Sequence, residues 1–174
     1  MLTTILIVVV VVIVATLIYA SLQPDTFSIT RSIAITAPPE RIFPLVNDLR
    51  SHRQWSPFDQ DAAMKRAYSG PESGPGATFA FDGGNKSGVG TLAVTDVQAP
   101  SRVMMSLKMT KPFACDNVVE FAFVPHGATT QTSWTMRGPQ PFIAKVMNSI
   151  FRCDKMCARQ FDQGLAALKA AAER

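Results

Sequence analysis

Between Met64 and Arg137 the chain alternates short extended runs with turn residues six times over, and this rhythm limits the possible folds more than any other feature. The runs are MKRAY before SGPESGPG, ATFAFD before GGNKSG, then GVGTLAVTDV, RVMMSLKM, NVVEFAFV before PHGA, and TTQTSWTMR. Such spacing predicts six antiparallel strands joined mostly by hairpins. A seventh strand is expected ahead of them. In FSITRSIAI, Phe27, Ile29, Ile33 and Ile35 share one face, Ser28, Thr30 and Ser32 the other, and Arg31 interrupts the apolar side. Between these strands, TAPPERIFPLVNDLR has prolines suited to a helix start and an apolar stripe of Ile42, Phe43, Val46 and Leu49.

From Phe142 to Glu173 the pattern changes to three-and-four spacing, with Ile143, Val146, Met147, Ile150, Phe161 and Leu165 among its apolar members. One long closing helix is expected there. Lys145, Arg152, Lys155 and Arg159 fall on its other side, which reads as a solvated face. A curved antiparallel sheet with an amphipathic helix laid across it buries both apolar surfaces, so the class is α+β.

The N-terminus is different in kind. From Leu2 to Leu22 there is no ionisable side chain, and at 1.5 Å per residue such a helix reaches about 30 Å, the thickness of a bilayer's hydrocarbon core. Residues 1–24 are therefore expected to form a single transmembrane anchor and residues 25–174 one domain. The competing reading is a cleaved secretory signal. Against it, the run exceeds the usual hydrophobic region, no Lys or Arg precedes it, and Ile18-Tyr19-Ala20 is a poor cleavage site. The first basic residue after the span is Arg31, so charge does not assign the side of the membrane the domain faces.

Composition narrows the function by exclusion. Seventeen basic residues against thirteen acidic ones make a mild excess, and no dense basic patch with interleaved aromatics points to nucleic acid. Cys115, Cys153 and Cys157 are odd in number and lack redox or zinc spacing. No G-x-S-x-G, H-E-x-x-H, Walker or G-x-G-x-x-G motif occurs, so no catalytic residue, metal or cofactor is assigned.

Several stretches together resemble the START-like (SRPBCC) superfamily, and within it the polyketide cyclase-like proteins. They are RSIAITAPPERIFPLVNDL (Arg31 to Leu49), QWSPF (Gln54 to Phe58), YSGPESGPGA (Tyr68 to Ala77), SGVGTLAVTDVQAP (Ser87 to Pro100), TSWTMRGPQP (Thr132 to Pro141) and FDQGLAALK (Phe161 to Lys169). The resemblance implies the helix-grip fold, a seven-stranded curved sheet around a long C-terminal helix with an apolar cavity between them. It implies no single activity, because the superfamily includes lipid carriers, plant hormone-binding proteins and polyketide cyclases.

Strict alternation would point Phe79 and Phe81, Met105, Leu107 and Met109, Phe121 and Phe123, and Trp134 and Met136 to one side. Aromatic area and adaptable Met side chains suit an apolar guest. The plainer alternative is that they fill one another's space. At 100° per residue from Ile143, Asp154 aligns with Met147 and Phe161, and a carboxylate on an apolar stripe needs a partner, for which Arg31 is a candidate. Trp55 packs the short helix or stacks on a ligand; Tyr68 and His52 could reach in from the entrance. The expected function is membrane-tethered, non-catalytic binding of a hydrophobic small molecule or lipid. The alternatives are a cyclase or dehydratase in which Asp154, Arg31 or Tyr68 polarises a carbonyl, and a membrane-anchored module that contacts a protein through the basic helix face.

Overall fold

The computed structural model describes residues 1–174, apart from the side chains of Asn85 and Lys86. Helix α1 (Leu2–Ser21) leads into β1 (Thr26–Ile35), followed by α2 (Pro39–Asn47) and two single 3-10 turns at Ser51–Gln54 and Pro57–Asp59. The six further strands are β2 (Lys65–Ser69), β3 (Thr78–Asp82), β4 (Val89–Gln98), β5 (Arg102–Lys111), β6 (Cys115–His126) and β7 (Thr129–Pro139). A one-turn helix, α3 (Gly84–Ser87), sits between β3 and β4, and α4 (Phe142–Phe151) and α5 (Cys153–Ala172) close the chain.

All seven strands form one antiparallel sheet in the order β1-β7-β6-β5-β4-β3-β2. Strands β2 to β7 are a meander, and β1 adds to the free edge of β7, so the segment from β1 to β2 must cross the width of the sheet. In that crossing α2 packs on β5 and β6. Strand β4 slips register between Val89 and Gly90 and again between Val94 and Asp96; irregularities of this kind bend a strand and sharpen its twist. The seven-stranded curved sheet and the helix against it are thus as the resemblance implies.

Register fixes which loops share an end of the sheet. Thr26 lies opposite Pro139, Val118 opposite Arg137, Met109 opposite Cys115, and Val89 opposite both Lys111 and Asp82. The start of β1, the end of β7, the β5–β6 turn and the β3–β4 connection are therefore gathered at the end that carries α1. The far end is solid. Ile35, Ile42, Val46, Val103, Phe123 and Leu168 are almost wholly inaccessible there. Helix α5 docks through Phe161, Leu165, Leu168 and Ala172, a single stripe at helical spacing. Its C-terminal turns are tied to β1: Lys169 Nζ donates to the Ala34 carbonyl at 2.7 Å, and the Thr36 N–H donates to Glu173 Oε1 at 2.6 Å.

The long closing helix expected from the sequence is in fact two. Arg152 adopts the left-handed conformation (φ 51°, ψ 50°) and ends α4, while Asn148 Oδ1 accepts the Asp154 N–H at 3.0 Å and caps the start of α5. No Gly or Pro marks the break, so a single 100° phase drawn from Ile143 carries wrongly past it. Ile143 and Ile150 are exposed. Lys145, expected on a solvated face, is buried and donates to the Gln23 carbonyl at 2.7 Å and to Asp25 Oδ1 at 2.6 Å. Helix α4 therefore packs against α1 instead of extending α5.

Gly164 lets α5 lie close to the sheet. A Cβ there would come within 2.7 Å of Trp134 Cζ3 and 2.9 Å of Pro57 Cδ. Gly164→Ala should lower stability by about 1–3 kcal/mol, the usual range for overpacking a core. Thermal unfolding of the full chain in detergent measures this, and an unchanged midpoint contradicts the close approach.

Candidate functional site

The buried stripe of α5 begins only at Phe161; over Cys153–Gln160 the helix buries nothing fully. Beneath those first two turns lies a cavity of about 390 Å³, within the roughly 300–1,000 Å³ typical of small-molecule sites. Period-two alternation supplies its wall: Phe79 and Phe81 from β3, Met105, Leu107 and Met109 from β5, Phe121 from β6, and Trp134 and Met136 from β7. Leu92 and Val119 complete the apolar surface, and Cys157, Gln160 and Phe161 close it from α5.

At the inner limit of the cavity the Trp134 ring stacks on Phe161, with centroids 4.1 Å apart and planes 5° from parallel. Trp55 meets Phe121 and Trp134 edge-on, each at 5.6 Å. This residue both packs and lines, because the 3-10 turn that carries it is bolted to α2. Trp55 Nε1 donates to the Leu45 carbonyl at 2.8 Å, and His52 Nε2 donates to the Val46 carbonyl at 2.7 Å. Burial pushes the His52 pKa below its ordinary value, partly opposed by that carbonyl and by Asp59 and Asp48.

The second 3-10 turn places a carboxylate at the cavity. Asp59 is 2% exposed, and its Oδ1 accepts from Arg66 Nε at 2.7 Å. Three more of the five Arg66 donors go to the carbonyls of Met64, Asp59 and Asp61 at 2.9, 3.1 and 2.8 Å, which fixes the loop. Among the described residues Asp59 Oδ2 and Trp134 Nε1 are buried without a hydrogen-bond partner, and both residues line the cavity. One can accept a hydrogen bond and the other can donate one. Burial raises the pKa of both lining thiols, that of Cys115 above its ordinary value and that of Cys157 to about 11, so they are neutral near pH 7 and poor nucleophiles.

Nine of the residues expected at the site line the cavity: Trp55, Phe79, Phe81, Met105, Leu107, Met109, Phe121, Trp134 and Met136. The other five lie elsewhere. Phe123 is on the same face but in the solid end, edge-on to Phe43 at 6.2 Å. Tyr68 stacks on Phe79 at 5.0 Å and borders a separate small cleft beside Arg50. Met147 is half-buried on α4. Asp154 is exposed in the first turn of α5, because the break at Arg152 resets the helix phase. Arg31 consequently pairs not with Asp154 but with Asp162, at 3.0 Å, with both side chains about half exposed. Sequence reasoning missed Asp59 and Arg66. Asp59 lies in a 3-10 turn that has no period to reveal which way a side chain points.

Residues 26–173 match the family described as polyketide cyclase / dehydrase and lipid transport, and the chain belongs to that family. Among solved structures it is similar to protein MLL2253 from Mesorhizobium loti, at 16% identity over 85% of this chain and 98% of that one, with a TM-score of 0.63. Protein CV1439 from Chromobacterium violaceum is similar at 17% identity, over 87% and 99% of the two chains, with a TM-score of 0.59. The di-domain ARO/CYC BexL from the BE-7585A biosynthetic pathway matches at 15% identity over 89% of this chain and 52% of its own length, with a TM-score of 0.64. At these identities the likeness is one of fold. No protein of curated function matches the sequence.

The His52 shift makes a pH prediction with a definite sign. Its folded pKa lies below the unfolded value of 6.5, so below that pH the unfolded chain binds a proton that the folded chain refuses. The contribution is complete above pH 6.5 and is lost as pH falls toward the folded pKa. Urea unfolding between about pH 7 and pH 5 should show stability falling with acid, and His52→Gln, which keeps a donor for the Val46 carbonyl, should flatten that slope.

Proposed function

We propose that this protein binds a largely apolar small molecule or lipid in the cavity while α1 tethers it to a membrane. The observation that carries the reading is the cavity itself, about 390 Å³ between α5 and an aromatic- and Met-rich wall. Helix α1 supports the tether by length and composition. The matching polar features of the guest are a hydroxyl or amine to donate to Asp59 and an oxygen to accept from Trp134, since a buried polar atom left unpaired costs about 1–3 kcal/mol. Binding without chemistry is the reading the side chains favour. Arg31, Tyr68 and Asp154, which a cyclase would have used to polarise a carbonyl, lie outside the cavity.

Leu107→Trp places a larger ring in the cavity without touching the solid end of the sheet. Organic extraction of the purified full chain, followed by mass spectrometry, should recover a small molecule or a selected lipid. Leu107→Trp in the same detergent should retain it about tenfold less, the change that ~1.4 kcal/mol of lost affinity produces, while remaining folded. Equal recovery of bulk lipid and detergent from both proteins would count against the reading.

A further inference from the structure

We propose that the cavity opens onto the bilayer surface itself: α4, the first turns of α5 and the β5–β6 turn dock on anionic lipid, so that an apolar guest passes between membrane and cavity without crossing water. This rests on the tethered reading of α1 and adds to it the orientation of the domain and the route of entry.

Three independent observations converge on that face. The first is register. The end of the sheet that carries α1 is also the end where the cavity is lined by Gly88, Pro112, Cys115 and Asn117, while the far end is closed by the solid core. On the helix side Cys157 and Gln160 line the cavity, within the first two turns after the α4–α5 break. The mouth and the root of α1 thus belong to one end of the molecule.

The second is the distribution of exposed apolar side chains. Beyond Leu22, the large exposed apolar residues among the described ones include Phe142, Ile143, Ile150 and Phe151 of α4, Met156 of α5 and Phe113 of the β5–β6 turn, each 50% to 62% accessible. Only Phe58 and Val124 fall outside this set. Water would reject such a cluster, whereas an interfacial helix presents this kind of face to the acyl boundary and keeps basic residues at headgroup level.

The third is charge and attachment. Arg152, Lys155 and Arg159 are exposed and enter no salt bridge among the described residues. Basic residues near an anionic leaflet are drawn to its headgroups. Lys145 holds α4 to the segment just after α1 through Gln23 and Asp25. Where α1 leaves the hydrocarbon, α4 is therefore already at the interface. A lipid surface is the occupant that satisfies the continuity with α1, the apolar cluster and the basic rim together.

The test uses the wild-type full chain reconstituted into vesicles of phosphatidylcholine and phosphatidylglycerol that contain a phosphatidylcholine bearing a diazirine near the top of its acyl chain. After illumination and trypsin digestion, lipid adducts should appear on the peptide Val146–Arg152 and on Phe113. The peptide Ser32–Arg41, at the far end of the sheet, should stay at background. Lys155→Glu with Arg159→Glu should reduce labelling of Val146–Arg152 several-fold in these vesicles while leaving label on the peptide Met1–Arg31. Label confined to Met1–Arg31 would uphold the tether and overturn the docked mouth. So would an unlabelled Val146–Arg152 with an amine cross-linker joining Lys155 between two copies, which would make the face a dimer contact. A chain that does not float with the vesicles would overturn the tether and the docking together.

Discussion

Phe161 lies flat on Trp134 with ring centroids 4.1 Å apart, and this contact sets where the interior is solid and where it is hollow. On its C-terminal side α5 presents Leu165, Leu168 and Ala172 to the sheet, and little is left open. On its N-terminal side the helix continues without a buried side chain, so the concave wall opposite has nothing to interdigitate with. Such a stacked pair is worth about 0.5–1.5 kcal/mol beyond the area it buries. Its greater effect here is positional, because it holds the roof of the cavity at a fixed distance from a wall that would otherwise be drawn closed.

The floor is held by charge rather than by apolar packing. Asp59 and Arg66 form a pair whose side chains are 3% and 14% accessible, and three backbone carbonyls take up three more of the guanidinium donors. Burying two ions gains little stability over a well-packed apolar substitute, yet removing one partner strands the other at a cost of about 3–5 kcal/mol. The arrangement fixes the loop that carries Trp55 and Phe58 into the aromatic cluster, and it leaves one carboxylate oxygen uncommitted at the cavity.

The strands and the wall were legible because a half-buried sheet imposes an exact two-residue period that survives in sequence. Phe79, Met105, Phe121 and Trp134 follow from alternation alone. What alternation could not supply was the depth of each residue along its strand. Phe123 shares a face with Phe121, yet the helix covers one end of the sheet and not the other. The helical C-terminus was misread for a different reason. A left-handed Arg152 is uncommon for a residue with a Cβ, and the sequence around it, SIFRCDK, continues the helical pattern without a stop signal. Asp154, Met147 and Lys145 all followed that error, each displaced from its expected surroundings by one unmarked backbone torsion.

Only Leu22, Gln23, Pro24 and Asp25 separate α1 from β1, and four extended residues span at most about 14 Å. The Lys145 contacts to Gln23 and Asp25 take up part of even that leash. With α1 in a bilayer, the domain has no reach. On the binding role proposed above it could not ferry cargo across an aqueous compartment, so whatever takes a molecule from it would have to come to the same patch of membrane, as a ship comes to a berth.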